Sequence, residues 1–231
     1  MVDVHVKYLE HFVELPGAVV VDVGCGDGAL VRRLAEHKAN PVGIGFDGAA
    51  LDRARSLGKR SKRVRYEAGT PESLPLANGT ADLVVFLFSF GQTPPDRHQA
   101  TLVEARRVLR PGGRLHVVEP FAEGAYFDLI KLIDDPTERR TQTLHSISTA
   151  WGLGLKPLIA GSYIHVERFR DFEDFRARHA PGRTEVFAAK DRDLREAFNR
   201  LGIVGDDGTI LFRQPCRLYH FSRVDSTEQA A

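Results

Sequence analysis

The sequence predicts a doubly wound α/β fold. The expected sheet is mostly parallel and seven-stranded, with helices on both faces, a helical insertion after strand five and an antiparallel last strand. Three observations carry this. Apolar, β-branched runs alternate with helical patterns five times between residues 18 and 119, the mark of strand–helix–strand units. The first run, Val19–Val21, ends in Asp22 and a glycine-rich turn, Gly24, Gly26 and Gly28, that opens a helical stripe. The segment Asp82–Phe88 is almost wholly apolar, as parallel strands buried on both faces are.

Each element has its own signal. Val6, Leu9, Phe12 and Val13 are spaced for an amphipathic helix over 5–15, ended by Pro16-Gly17. The first strand is expected at 18–23, and Leu30, Val31 and Leu34 form the stripe of the next helix. A second strand is read at 41–46, and Asp47 is placed to cap the helix carrying Ala50, Leu51 and Ala54. Strands follow at 64–68 and 82–88, then a helix over 96–109. Pro111-Gly112-Gly113 reads as a tight turn into a fifth strand, 114–119. The rhythm changes after Pro120. Residues 121–160 carry weak helical periodicity and read as a lid or acceptor-side insertion. A strand at 161–169, helices at 171–179 and 187–201, and a long strand over 209–224 with a bend at Pro215 complete the pattern. STEQAA at the end reads as a frayed tail. The expected organisation is one domain, 1–231, with a cofactor core at 15–120 and closing elements at 161–231.

Composition narrows the function classes. At 231 residues and 42% apolar content, the chain can bury a full core. A net charge of +1 gives no global reason to bind nucleic acid or anionic membrane. Cys25 and Cys216 lack CxxC partners, so both read as packed thiols, and neither a metal site nor a disulfide framework is expected. No run approaches the roughly 20 apolar residues of a membrane span, and MVDVHVKYLEHF lacks a secretory pattern. The expectation is a cytoplasmic protein.

The glycine turn is the chemical centre of the chain. A helix N-terminus after such a turn aims free N–H groups and a positive dipole end at a ligand. In a doubly wound sheet that ligand sits at the carboxyl ends of the strands, where strand order reverses. Asp47, Thr70 and the residues just after Phe86 are expected at the same edge. Gly24, Gly26 and Ala29 also fit the dinucleotide fingerprint G-x-G-x-x-A, with Asp47 near the ribose-acid distance.

Taken as a set, the motifs resemble the Rossmann-like class I methyltransferases that use S-adenosylmethionine. Asp22 precedes Gly24, Gly26 and Gly28, Leu74-Pro75 precedes the fourth strand, Asp82 opens it, and Arg107, Leu109, Pro111, Gly112 and Gly113 precede the fifth. The resemblance covers about residues 15–120, and more loosely the strand around Gln214-Pro215. It implies S-adenosylmethionine as cofactor, held by Asp22, Gly24, Cys25, Gly26, Gly28, Asp47, Thr70, Pro71, Glu72 and Phe86. The family usually carries an acid at the end of the second strand, for the ribose, and another before Leu-Pro, for the adenine. Here those positions are Gly45 and Thr70. Asp47 reaches the ribose if the second strand runs on, and is only a helix cap if the helix begins at once. Losing a charged acceptor costs about 1–3 kcal/mol if nothing replaces it.

No residue type identifies a catalytic base. Glu119, Tyr126 and His145 are the acceptor-side candidates. His165 is weighed beside His145 as a base, and Phe121, Phe127 and Trp151 would line an apolar pocket or pack the insertion. The basic run Lys59, Arg60, Lys62, Arg63 and Arg65 reads as a solvated face, because no aromatic platform accompanies it. The expected activity is methyl transfer to a small-molecule acceptor. The alternatives are a non-catalytic binding protein on the same scaffold, motivated by Gly45 and Thr70, and an NAD-type oxidoreductase.

Overall fold

The computed structural model describes residues 2–59 and 61–224. The expected tail at 226–231, and Arg60 of the basic run, lie outside the described residues. The first half alternates as the patterning requires: α1 (Val2–Leu9), β1 (Val19–Val23), α2 (Ala29–Glu36), β2 (Asn40–Gly45), α3 (Gly48–Gly58), β3 (Arg65–Ala68), β4 (Ala81–Leu87), α4 (His98–Val108) and β5 (Leu109–Pro120). Then come α5 (Ala125–Ile130), α6 (Thr137–Ser148), β6 (Leu155–Phe169), α7 (Phe172–His179), α8 (Thr184–Leu201), β7 (Ile203–Val204) and β8 (Ile210–Arg223).

The sheet order is β3-β2-β1-β4-β5-β8-β6. β1 pairs in parallel with β2 and β4, β2 with β3, and β4 with β5, and the C-terminal strands run antiparallel. Strand order therefore reverses at β1 and β4, and the glycine turn sits at that switch point. The sheet has eight strands rather than seven, because the two-residue β7 pairs with Leu211 and Ile210 of β8.

Other differences are local. α1 ends at Leu9, so Phe12 and Val13 follow the first helix rather than belong to it. β5 begins directly after α4, and Pro111-Gly112-Gly113 lies within it. β4 advances from Ala81 to Leu83 while β5 advances from Leu109 to Arg114. The turn expected there is a bulge, with Gly112 at φ 72°. β6 starts at Leu155, inside the span read as insertion, because Gly154 at φ 78° closes the preceding turn. α8 begins at Thr184 and is kinked at Lys190.

The chain divides into two compact units. One takes in the chain up to Glu119, Thr143–Gly161 and the chain from Leu218. The other takes in Pro120–Gln142 and Ser162–Arg217. The expected insertion at 121–160 is thus shared between them, with Ile147, Ala150 and Leu155 in the core of the first. That core carries Val21, Val23, Ile44, Val84, Phe86 and Leu115, and a second cluster lies beneath α1 and α2, with Val6, Leu9, Val20, Leu30 and Leu83. Also in the first unit, His116 of β5 and His220 of β8 are fully buried. Their rings are 5.7 Å apart and lie against Tyr8 and Phe12. The second unit has its own core, dominated by Phe169, Phe172, Phe175, Phe187, Phe198 and Phe212. Among the described residues no helix is long and apolar enough to cross a membrane.

One ring organises the edge of the first unit. Tyr66 of β3 is packed so closely that an added Cβ on Gly28, Gly43 or Gly58 would lie 2.4, 2.8 or 2.7 Å from it. Its hydroxyl lies 3.4 Å from the Gly28 carbonyl oxygen, to which it donates.

Candidate functional site

The site begins where β1 stops. The N–H groups of Gly24 and Cys25 both donate to the Ile44 carbonyl, at 2.8 and 3.0 Å, which ties the turn to β2. Gly24 has φ 81°, and a Cβ there would stand 2.5 Å from Ser89 Cβ and 3.1 Å from the Phe46 ring. Only glycine meets both conditions. Ser89, buried just after β4, donates to the Val23 carbonyl and locks the turn from the other side. A Cβ on Gly26 meets nothing within 4 Å, so the outer face of the turn is open. Gly28 caps α2, and the Ala29 N–H, the first of that helix, donates to Asp27 Oδ1 at 3.1 Å.

Asp22 is buried one residue before the end of β1. Burial disfavours its charged form and pushes its carboxyl up to about 7. Cys25 turns its thiol inward against Val31, Leu51, Ala54 and Tyr66, and burial raises it to about 12. Only its backbone belongs to the turn. Phe86 is likewise a core residue, fully buried and edge-on to Phe90 at 5.4 Å. Its side chain does not line the strand edge, contrary to its selection from sequence.

The end of β2 resolves the ambiguity over Asp47. The helix begins at once, and Asp47 Oδ1 accepts from the N–H groups of Ala49 and Ala50, at 2.8 and 3.3 Å. At Gly45 an added Cβ would lie 2.8 Å from Leu51 Cδ1. The place of the usual acid is therefore filled by a buried leucine of α3. Between them stands Phe46, which is 41% exposed although its ring approaches Gly24. Sequence reading missed Phe46. Its signal was an aromatic residue directly after the strand and before the cap.

Beyond β3, Thr70 and Ser73 pair across a tight turn with N–H···O contacts of 3.4 and 3.1 Å. Thr70 is exposed, Pro71 is buried, and Glu72 takes a 2.7 Å ion pair from Arg97. The loop then passes along α4, where Arg107 and Glu104 hold it. Asp82 has a structural role at the opposite end of β4. It accepts from the Val19 N–H at 2.8 Å and pairs with Arg110 at 2.5 Å.

The acceptor-side candidates fall in different places. Glu119 is buried in β5 and accepts from the Gly91 N–H at 3.1 Å, holding the segment after β4. His145 is exposed on α6 and lines a groove of about 580 Å³ with Asp96, His98, Ser146 and Thr149.

 Tyr126 belongs to the second unit, where its hydroxyl meets His179 Nε2 at 3.0 Å and burial pushes its phenol up. His165 is buried beside Glu167 at 3.1 Å, Phe127 is buried, Phe121 is half-buried and Trp151 is exposed. Lys59, Lys62, Arg63 and Arg65 are exposed, and Arg65 pairs with Glu67. Two further grooves open at the amino ends of the strands, lined by Ala18, Asp82 and Arg110 and by Asn40, Lys62 and Arg65. That end is opposite the glycine turn.

The comparisons with known proteins agree with this geometry. Residues 20–113 match a family described as "Methyltransferase domain". An uncharacterised methyltransferase of Synechocystis sp. is 32% identical over 115 residues, covering 50% of this chain and 53% of that protein. A demethylmenaquinone methyltransferase of Tropheryma whipplei is 35% identical over 103 residues, covering 45% and 42%. The chain thus spans about half the length of the curated relatives it matches. Among solved structures, the YcgJ protein of Bacillus subtilis has a TM-score of 0.67 at 17% identity, covering 95% of this chain and 97% of its own. A geranyl diphosphate methyltransferase in complex with SAM has a TM-score of 0.61 at 16% identity, covering 96% and 85%. Both show the same fold.

Proposed function

We propose that this chain, whose residues 20–113 match a methyltransferase domain, is an S-adenosylmethionine-dependent methyltransferase acting on a small-molecule acceptor. One observation carries the reading: a glycine turn with an open outer face at the carboxyl end of β1, beside the buried carboxyl of Asp22. The cofactor supplies a methyl group already activated on a sulfonium sulfur, so the protein needs to align donor and acceptor and keep water out. A strong general base is not required.

In this reading the turn at Gly24, Cys25 and Gly26, on its open outer face, receives the amino-acid end of the cofactor. Ionised Asp22 balances its ammonium. Phe46 covers the ribose side, where Leu51 occupies the place of the usual acid and Asp47 is taken up as a helix cap. Thr70, Pro71 and Glu72 face the adenine. Glu119 fixes the segment after β4 through Gly91, which makes it a positioning residue on the acceptor side. His145 is the remaining candidate in the same unit. The relative named for a quinone precursor supports a small acceptor with an apolar body.

Calorimetric titration with S-adenosylhomocysteine tests this. Micromolar binding is expected at pH 8, weakened about tenfold or more by Asp22→Asn, since a charge-assisted contact of about 1.4 kcal/mol or more is lost. Affinity should rise with pH through about 7, as the Asp22 carboxyl ionises. The sign for the empty protein is opposite. The native carboxyl lies above its ordinary 3.8, so its contribution to stability is full below that value and is lost as pH rises through about 7. Absence of heat at millimolar ligand overturns the reading and leaves a binding protein on this scaffold.

A further inference from the structure

The loop from Thr70 to Asn78 is held by one side-chain pair of α4. Arg107 Nε and Nη2 reach the two carboxylate oxygens of Glu104 at 2.6 and 2.7 Å. Nη2 also donates to the Leu74 carbonyl at 3.1 Å, and Nη1 donates to the Leu76 carbonyl at 2.9 Å and to Asn78 Oδ1 at 2.6 Å. A guanidinium has five N–H donors, and these contacts can engage all of them. Glu104 Oε1 in turn accepts the Leu74 N–H at 2.6 Å. The peptide groups on both sides of Leu74 are therefore gripped from the same helix. The mutual pairing holds the Glu104 carboxyl below its usual range and raises Arg107.

This is more restraint than a surface loop needs. It ends just after the Thr70–Ser73 turn, the part of the first unit that faces the adenine in the reading above. Arg97 braces the same turn through Glu72. Thr70 stands where the family has an acid, so recognition of the base rests on a hydroxyl and on backbone groups. Such groups discriminate only if they are held in place, because a mobile turn can rotate to suit either a donor or an acceptor.

We propose that the Glu104–Arg107 pair is a specificity-determining positioning element. It fixes the Thr70–Leu74 turn so that the site selects a 6-amino purine over a 6-oxo purine. This rests on the proposed cofactor. A purely structural role would weaken both ligands alike, whereas the positioning role changes their ratio.

The test is calorimetric titration with S-adenosylhomocysteine and S-inosylhomocysteine, on the wild type and on Arg107→Lys, Glu104→Gln and Asn78→Ala. Thermal denaturation of each variant accompanies it. The wild type is expected to favour the amino form by about tenfold or more, roughly one well-placed hydrogen bond. Arg107→Lys keeps the charge but not the fork, and should bring the ratio close to one. Glu104→Gln should lower it too, and reads the effect if Arg107→Lys does not fold. Asn78→Ala removes only the outermost contact and should keep most of the preference. A discriminating wild type whose variants keep the ratio overturns the inference alone, as does a wild type that binds both ligands equally. A wild type that binds neither overturns the cofactor reading and this inference with it.

Discussion

Gly28 shows how much of the site depends on single positions. It has φ 79°, and a Cβ there would lie 2.4 Å from the Tyr66 hydroxyl. Gly28→Ala meets both a left-handed backbone and a buried ring, and should cost about 2–4 kcal/mol in urea denaturation. The residue scale is also where sequence reading ran out. Asp22 and the turn glycines were legible because their residue types are rare in that order. Phe46, Ser89 and Glu104 were not, because each acts through a neighbour far along the chain. Phe86 looked like a site residue by its place at the strand end, yet the alternation of side chains sends it into the core.

At the scale of elements, the strands of the first half were legible because parallel strands are continuous apolar runs. The boundaries that failed share a cause. Leu109 follows a helical stripe with no turn residue between, so β5 was read as starting after its bulge. Leu155 follows a short helical turn, so the first part of β6 was read as insertion. Register decides such ends, and register is a long-range property. The second unit's core was legible only as scattered phenylalanines. α8 brings Phe198 within 5.0–6.2 Å of Phe212, Phe172, Phe175 and Phe169. Phe198→Ala should cost about 3–5 kcal/mol, whereas Val204→Ala on β7, at 71% exposure, should stay within about 0.5 kcal/mol. Chemical denaturation of the two variants checks this.

At the scale of the whole molecule, acid is the condition that should matter most. The ring nitrogens of His116 and His220 are buried without hydrogen-bond partners among the described residues. Burial holds His116 well below 6.5, and burial with Arg114 lowers His220 to about 4. Both native values lie below the unfolded one. The stability they contribute is full above about 6.5 and is lost as pH falls, through about 4 for His220. The acid unfolding midpoint should move to lower pH in His220→Phe, followed by circular dichroism. The division into two units was the least legible feature, since each is assembled from separated stretches of chain. Tyr66 has a different kind of consequence. Its ring occupies the space of three missing side chains, at Gly28, Gly43 and Gly58, so four positions are bound into one evolutionary unit. None of the three glycines can take a side chain while the ring stays, and shrinking residue 66 would free little, because Gly43 also faces Cys25 and Val31 and Gly28 holds a left-handed backbone.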